Sequence, residues 1–211
     1  MKNRLIFIHI PKCGGTSLYP FILDYNKQIK DPFVVNYNKM VEKKGDPELR
    51  RLMDQSKRLT HSIVSQYPKS YRDSCFVFSF VRNPYDRLLS AHKYLTDGFG
   101  NVADKKFGKT LSSDFKYFVK NQLKNNMNWL HFRPMKYWLS DDIDFIGKTE
   151  NFQQDFNIIC DKVGVPRRQL RHRNKSKHKH YTEYYDDATK QIVSEIYAKD
   201  IEYFDYKFGE Y

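Results

Sequence analysis

The stretch FIHIPKCGGTS, residues 7–17, runs an apolar segment directly into a lysine, a cysteine, two glycines and two hydroxyls. Leu5 to Ile10 is short, rich in β-branched and aromatic residues, and bounded by charge and by Pro11, so it reads as a buried parallel strand. Beyond it, Leu18, Phe21, Ile22 and Tyr25 recur at i, i+3, i+4 and i+7, which predicts an amphipathic helix. Pro20 is expected in the first turn of that helix, where its missing N–H is tolerated. Between strand and helix, Gly14 and Gly15 permit a tight turn with exposed backbone N–H groups. Thr16 and Ser17 add hydroxyl donors at the positive end of the helix dipole. Such a turn suits a phosphate. Lys12 precedes the glycines, opposite to the order G-x-x-x-x-G-K-[ST] of ATP-type loops, so it approaches a bound anion from the strand side. A bare glycine turn is the simpler alternative, and the register of Lys12, Thr16 and Ser17 argues against it. A phosphatase-type role for Cys13 would want an arginine six residues on, where Tyr19 stands.

The segment CFVFSFV, residues 75–81, is apolar on both faces and predicts a central strand. It ends at Arg82. Asn83 is a natural helix cap, Pro84 fits the first helical position, and Leu88, Ala91 and Leu95 form the buried stripe of the next helix. Arg82 at the strand end and Ser90 two turns into the helix can face one phosphate together; Arg87 can do the same, or pair with Asp86 or Asp142. Two anion grips at successive strand ends suit a nucleotide phosphorylated at both ends.

Elsewhere the patterning predicts a helix over 47–57, a loop over 98–113, a helix over 114–126, and a strand ending near Lys148 with Thr149 as the cap of the helix that follows. Gly164 is the expected stop of that helix, and a last helix is expected over 186–203. Strands alternating with helices imply an α/β fold: a single P-loop-like domain over residues 1–211, with a central parallel sheet flanked by helices and ligands at the carboxyl ends of the strands.

Composition narrows the partners. With 37 Lys and Arg against 25 Asp and Glu, the 211-residue chain carries a formal charge of +12, favouring an anionic partner. The aromatic content of 16% supplies a core despite the many charges. Three widely spaced cysteines, Cys13, Cys75 and Cys160, suggest neither a zinc site nor a disulfide framework, and point to a reducing compartment. No apolar run approaches the roughly 20 residues of a membrane span, and LIFIHI is too short for a signal core, so a complete chain would be cytoplasmic; a trimmed membrane-anchored protein would look the same.

The pair IPKCGGTS and FVRNPYDRLLSAHKYL resembles the two nucleotide-binding motifs of sulfotransferases that use 3′-phosphoadenosine 5′-phosphosulfate (PAPS). The likeness is to the carbohydrate branch, which includes the heparan and uronyl 2-O-sulfotransferases and the chondroitin-type enzymes. LTHSIVSQY, HFRPMKYW, IDFIGKTENFQQDFNIIC, RNKSKH and EIYAKDIEYFDY agree in order, so the resemblance spans most of the chain, with 26–58 and 96–125 least covered. It implies that Lys12, Gly14, Gly15, Thr16 and Ser17 hold the 5′-phosphosulfate and that Arg82 and Ser90 hold the 3′-phosphate. Asn174 and Ser176 match a stretch that closes over the nucleotide, with Lys175 and Ser176 as its contacts. His61 aligns with the segment that supplies the catalytic base; His131 is the runner-up base or, with Arg133, an acceptor contact. His9 reads as structural, inside the first strand.

Sulfuryl transfer resembles phosphoryl transfer, with catalysis from positioning and from charge stabilisation on the departing oxygen, a task for which Lys12 is placed. The expected reaction carries the sulfuryl group from PAPS to a hydroxyl of a carbohydrate or glycolipid and releases 3′,5′-ADP (PAP). No metal and no nucleic-acid partner are expected. A P-loop-type small-molecule kinase is opposed by the missing GK[ST]. A non-catalytic nucleic-acid-binding module leaves the paired motifs unexplained.

Overall fold

The fold is seen in a computed structural model that describes residues 4–28, 61, 63–66, 69–140, 142–170 and 179–210. In chain order it contains β1 (Arg4–Ile8), α1 (Gly15–Gln28), α2 (Lys69–Arg72), β2 (Cys75–Val81), α3 (Pro84–Thr96), α4 (Val102–Gly108), α5 (Phe115–Asn121), β3 (Phe145–Lys148), α6 (Phe152–Val163), α7 (Asp187–Ile196) and α8 (Ala198–Tyr203), joined by short 3₁₀ turns. The helix expected over 47–57 lies outside the described residues. The chain forms two compact units: Met1–Ile10, Gly14–Phe80 and Trp138–Arg173 in the first, and Pro11–Cys13, Val81–Tyr137 and Asn174–Tyr211 in the second.

The first unit holds the three-stranded parallel sheet, ordered β1-β2-β3 and flanked by helices. β1 and β2 run in register from Arg4 opposite Cys75 to Ile8 opposite Ser79. All seven residues of β2 are buried, as an apolar central strand requires. Its one polar side chain, Ser79, donates to the Ile8 carbonyl at 2.7 Å, which satisfies the hydroxyl and locks the carboxyl end of β1. Asp144 brings β3 alongside by accepting from Val77 N–H at 2.8 Å. Phe21 of α1 meets Phe156 of α6 edge-on, with centroids 4.8 Å apart.

Two local expectations change here. α1 begins at Gly15, so Pro20 lies in its second turn, where it withholds the donor that Thr16's carbonyl would otherwise take. Thr149 opens a 3₁₀ turn over Thr149–Asn151 rather than capping α6, and its hydroxyl turns to Glu150; Asp155 ties the helix back by accepting from Lys148 N–H at 2.6 Å. Gly164 stops α6 in the left-handed region at φ 71°, as the sequence predicts.

The second unit is helical. α3 buries Leu88, Leu89, Ala91 and Leu95 against Phe115, Phe118, Phe132, Tyr181, Val193 and Tyr197. Residues 98–113 are not simply a loop: α4 forms there on a capping box between Asn101 and Asp104, a signal masked by the lack of an apolar stripe. α5 ends at Asn121, and a separate 3₁₀ turn covers Lys124–Asn126. The last helix breaks at Tyr197, held off helical geometry at φ −106°, ψ 21°, with its hydroxyl donating to the Phe132 carbonyl at 2.6 Å.

Asn83 is wholly buried. It accepts from Tyr85 N–H at 3.2 Å to cap α3 and donates to the carbonyls of Lys207 (2.9 Å) and Glu210 (3.3 Å). Asn83→Ala removes the cap and leaves those carbonyls unpartnered by it, so it should lower unfolding stability by about 2–4 kcal/mol. Urea denaturation with an unchanged midpoint would contradict this.

Candidate functional site

The turn after β1 departs from ordinary backbone at alternating residues. Lys12 has φ 69° and Gly14 φ 80°, with Cys13 between them at negative φ. That alternation turns successive N–H groups to one side and makes an anion-receptive concavity. For Lys12, a residue with a Cβ, the left-handed conformation costs roughly 1–2 kcal/mol. The N–H groups of Lys12, Gly14, Gly15 and Thr16 have no acceptor among the described residues, while Ser17 N–H closes the turn on the Gly14 carbonyl at 3.0 Å. Thr16 is exposed, and its hydroxyl is also unpartnered among the described residues. Cys13 is fully buried, its thiol 3.8 Å from the Pro11 carbonyl and 3.9 Å from Met135 Sδ, so it offers no nucleophile to solvent.

In the first unit the helix start is built against two histidines. A Cβ at Gly15 would lie 2.1 Å from His9 Nε2, so glycine is required for the His9 ring to pack there. His9 sits one residue past β1, its ring 5.5 Å from that of Phe7 and 4.4 Å from that of His61. His61 Nδ1 is 3.0 Å from the His9 carbonyl. A carbonyl only accepts, so Nδ1 carries a proton. His61 thus lies against His9, whose ring packs at the start of α1.

In the second unit Lys12, Arg82, Asp86 and Ser90 belong to one arrangement. Arg82 donates from Nε to Asp86 Oδ2 at 2.8 Å, with Nη2 at the same distance, and from Nη1 to the Lys12 carbonyl at 3.4 Å. Asp86 is 4% exposed and fixes the plane of the guanidinium. Ser90, one turn beyond Asp86 on α3, has a half-buried hydroxyl with no partner among the described residues. Lys12 Nζ lies 4.0 Å over the Tyr94 ring. Burial, with the Arg82 charge second, lowers the Lys12 pKa from 10.5 to about 8. Arg87 pairs with neither Asp86 nor Asp142, the two partners open to it from sequence; Asp142 is met by Arg72 instead.

Of the acceptor-side candidates, His131 is buried at 7% exposure beside Asp104 (3.7 Å) and Tyr94, so it presents no open ring to a substrate. Arg133 is half-buried, its guanidinium stacked 4.7 Å over the Tyr137 ring. Lys175 and Ser176 lie outside the described residues. Asp86 and Tyr94 were not singled out from sequence as site residues, although the spacing of four between Arg82, Asp86, Ser90 and Tyr94 marks one helix face. Among the described residues no group of three His, Cys, Asp or Glu side chains is placed to hold a metal, and no helix is long and apolar enough to cross a membrane.

A model of the sulfotransferase family matches residues 1–207. The chain belongs to the sulfotransferase family. The chain is 22% identical over 223 residues to human carbohydrate sulfotransferase 9, a match covering 95% of the chain and 47% of the human protein, so the chain spans about half of that relative's length. It is also 29% identical over 105 residues to an uncharacterised protein of Archaeoglobus fulgidus, covering 49% of the chain and 80% of that protein. No solved structure matches it significantly.

The lowered Lys12 pKa sets a pH dependence for the sulfotransferase. The ammonium is present below about pH 8 and lost above it, so affinity for inorganic sulfate should fall as pH rises through about 8. Lys12→Ala should bind sulfate weakly and without that inflection. Affinity that is flat from pH 7 to 9 in the unsubstituted protein would contradict the assignment.

Proposed function

We propose that the protein acts as a single sulfotransferase-like domain over residues 1–211, moving the sulfuryl group of PAPS to a hydroxyl of a carbohydrate or glycolipid. The observation that supports this most is the Arg82 guanidinium, held by Asp86, donating to the carbonyl of Lys12. Its backbone and side chain belong to the donor-rich turn, and its carbonyl accepts from Arg82, the residue expected on a second phosphate. Lys12, Gly14, Gly15, Thr16 and Ser17 take the 5′-phosphosulfate. Arg82, oriented by Asp86, and Ser90 take the 3′-phosphate, with Lys175 and Ser176 as further nucleotide contacts. The similarity to human carbohydrate sulfotransferase 9 supports a sugar acceptor.

His61 Nε2 takes the proton of the acceptor hydroxyl as its oxygen bonds to sulfur. The bond from sulfur to the bridging phosphate oxygen breaks, and Lys12 stabilises the charge that gathers on that oxygen as PAP departs. No residue needs to form a covalent intermediate. With His131 enclosed, the acceptor contact falls to Arg133.

A labelled-sulfate transfer assay from PAPS to a panel of glycans and simple alcohols tests this reading. Transfer to a sugar hydroxyl is expected, with Lys12→Ala losing activity by about 100-fold or more. His61→Ala should depress turnover by a similar factor while leaving PAP affinity within about twofold. No transfer to any acceptor together with no PAP binding, or binding of ATP and magnesium in preference to PAP, would contradict it.

A further inference from the structure

We infer that Arg87 is a positioning residue that holds the Pro11–Lys12 peptide with its N–H directed at the bound anion, an inference that rests on the function proposed above. Arg87 is only 2% exposed. Its guanidinium donates from Nε to the Pro11 carbonyl at 2.9 Å and from Nη1 to the Arg133 carbonyl at 2.9 Å. Among the described residues no carboxylate lies within ion-pair distance of it, although buried Asp200 is near enough to feel its charge, and Nη2 is buried without a partner. A buried cation spent on two main-chain carbonyls is a costly way to stabilise a fold, since an apolar side chain of similar volume fills the same space without desolvating a charge. What the guanidinium supplies that an apolar group cannot is a fixed direction for each carbonyl.

The consequence follows from peptide geometry. The described peptides are all trans, and in a trans peptide the C=O and the N–H of the next residue point in opposite directions. With the Pro11 carbonyl turned inward onto Arg87, the Lys12 N–H is turned away from it, and that N–H is one of the donors of the turn without an acceptor. The left-handed φ of Lys12 requires this peptide orientation to be held against its intrinsic cost, and the Arg87 hydrogen bond is the restraint that does so. The Cys13 thiol, 3.8 Å from the same carbonyl, is a weak second donor. Arg87 therefore acts on the nucleotide through Lys12, whereas its neighbour Asp86 acts through Arg82.

Arg87→Lys tests this because it keeps a charge and most of the volume but replaces a two-pronged planar donor with a single point that cannot serve both carbonyls. PAP affinity by calorimetry should fall by at least about tenfold, the scale of one charge-assisted hydrogen bond. The PAP-induced shift of the Lys12 amide resonance should shrink, while the far-ultraviolet spectrum stays that of a folded protein. A folded Arg87→Lys protein that binds PAP as the unsubstituted protein does, with the same Lys12 amide shift, overturns the inference. A second measurement needs no variant: in the unsubstituted protein the Lys12 amide should exchange with solvent rapidly when free and become protected by PAP. Slow exchange of that amide in the free protein also overturns the inference. If the unsubstituted protein binds no PAP, the proposed function fails instead, and the free-state exchange rate still reports on the peptide orientation.

Discussion

Parallel pairing of two strands sends both chains out of the sheet at the same edge, and this constraint organises the molecule. β1 and β2 pair over five residues, and Ser79 seals the carboxyl end of β1 with a buried hydrogen bond. Lys12 lies four residues past β1 and Arg82 directly follows β2, and the Arg82 guanidinium donates to the Lys12 carbonyl. Without a parallel register, a donor-rich turn and an arginine 70 residues away would have no common reason to converge.

Once the turn is fixed, its chemistry follows from what it leaves unsatisfied. Helix starts and reversed-φ turns carry N–H groups without intrahelical partners, and here those of Gly14, Gly15 and Thr16 find no acceptor among the described residues. In the second unit Lys12 has a lowered pKa, and the carboxylate of Asp86 meets one side of the Arg82 guanidinium. Asp86 and Arg87 are adjacent in sequence and divide the work. The first orients the Arg82 guanidinium; the second meets the Pro11 carbonyl. Both are buried, and neither offers a surface for a substrate.

Much of this was legible in the residues. The apolar run at 75–81, Asn83 with Pro84, and Gly164 each state their structure through a single strong preference, and each appears as expected; the run at 5–10 also forms a strand, but over Arg4–Ile8, which leaves His9 just beyond it. The inverted order of Lys12 and the glycines departs from the pattern of an ATP-type loop. What stayed hidden depends on partners distant in sequence. The break at Tyr197 needs the Phe132 carbonyl, and the enclosure of His131 needs Tyr94 and Asp104 around it; α4 rests on a local capping box that no apolar stripe announces. The role of Arg87 was invisible for the same reason, since a neighbouring aspartate is the obvious partner and two carbonyls far along the chain are the actual ones.

The central claim is that the protein grips one nucleotide by phosphates at both ends. Calorimetric titration of PAP against adenosine 5′-monophosphate, on the unsubstituted protein and on Arg82→Ala, measures the second grip by itself. PAP should bind at least about tenfold tighter than the monophosphate, and Arg82→Ala should remove most of that difference. Equal affinities in the unsubstituted protein, or a preference for PAP that survives the loss of Arg82, would contradict the account.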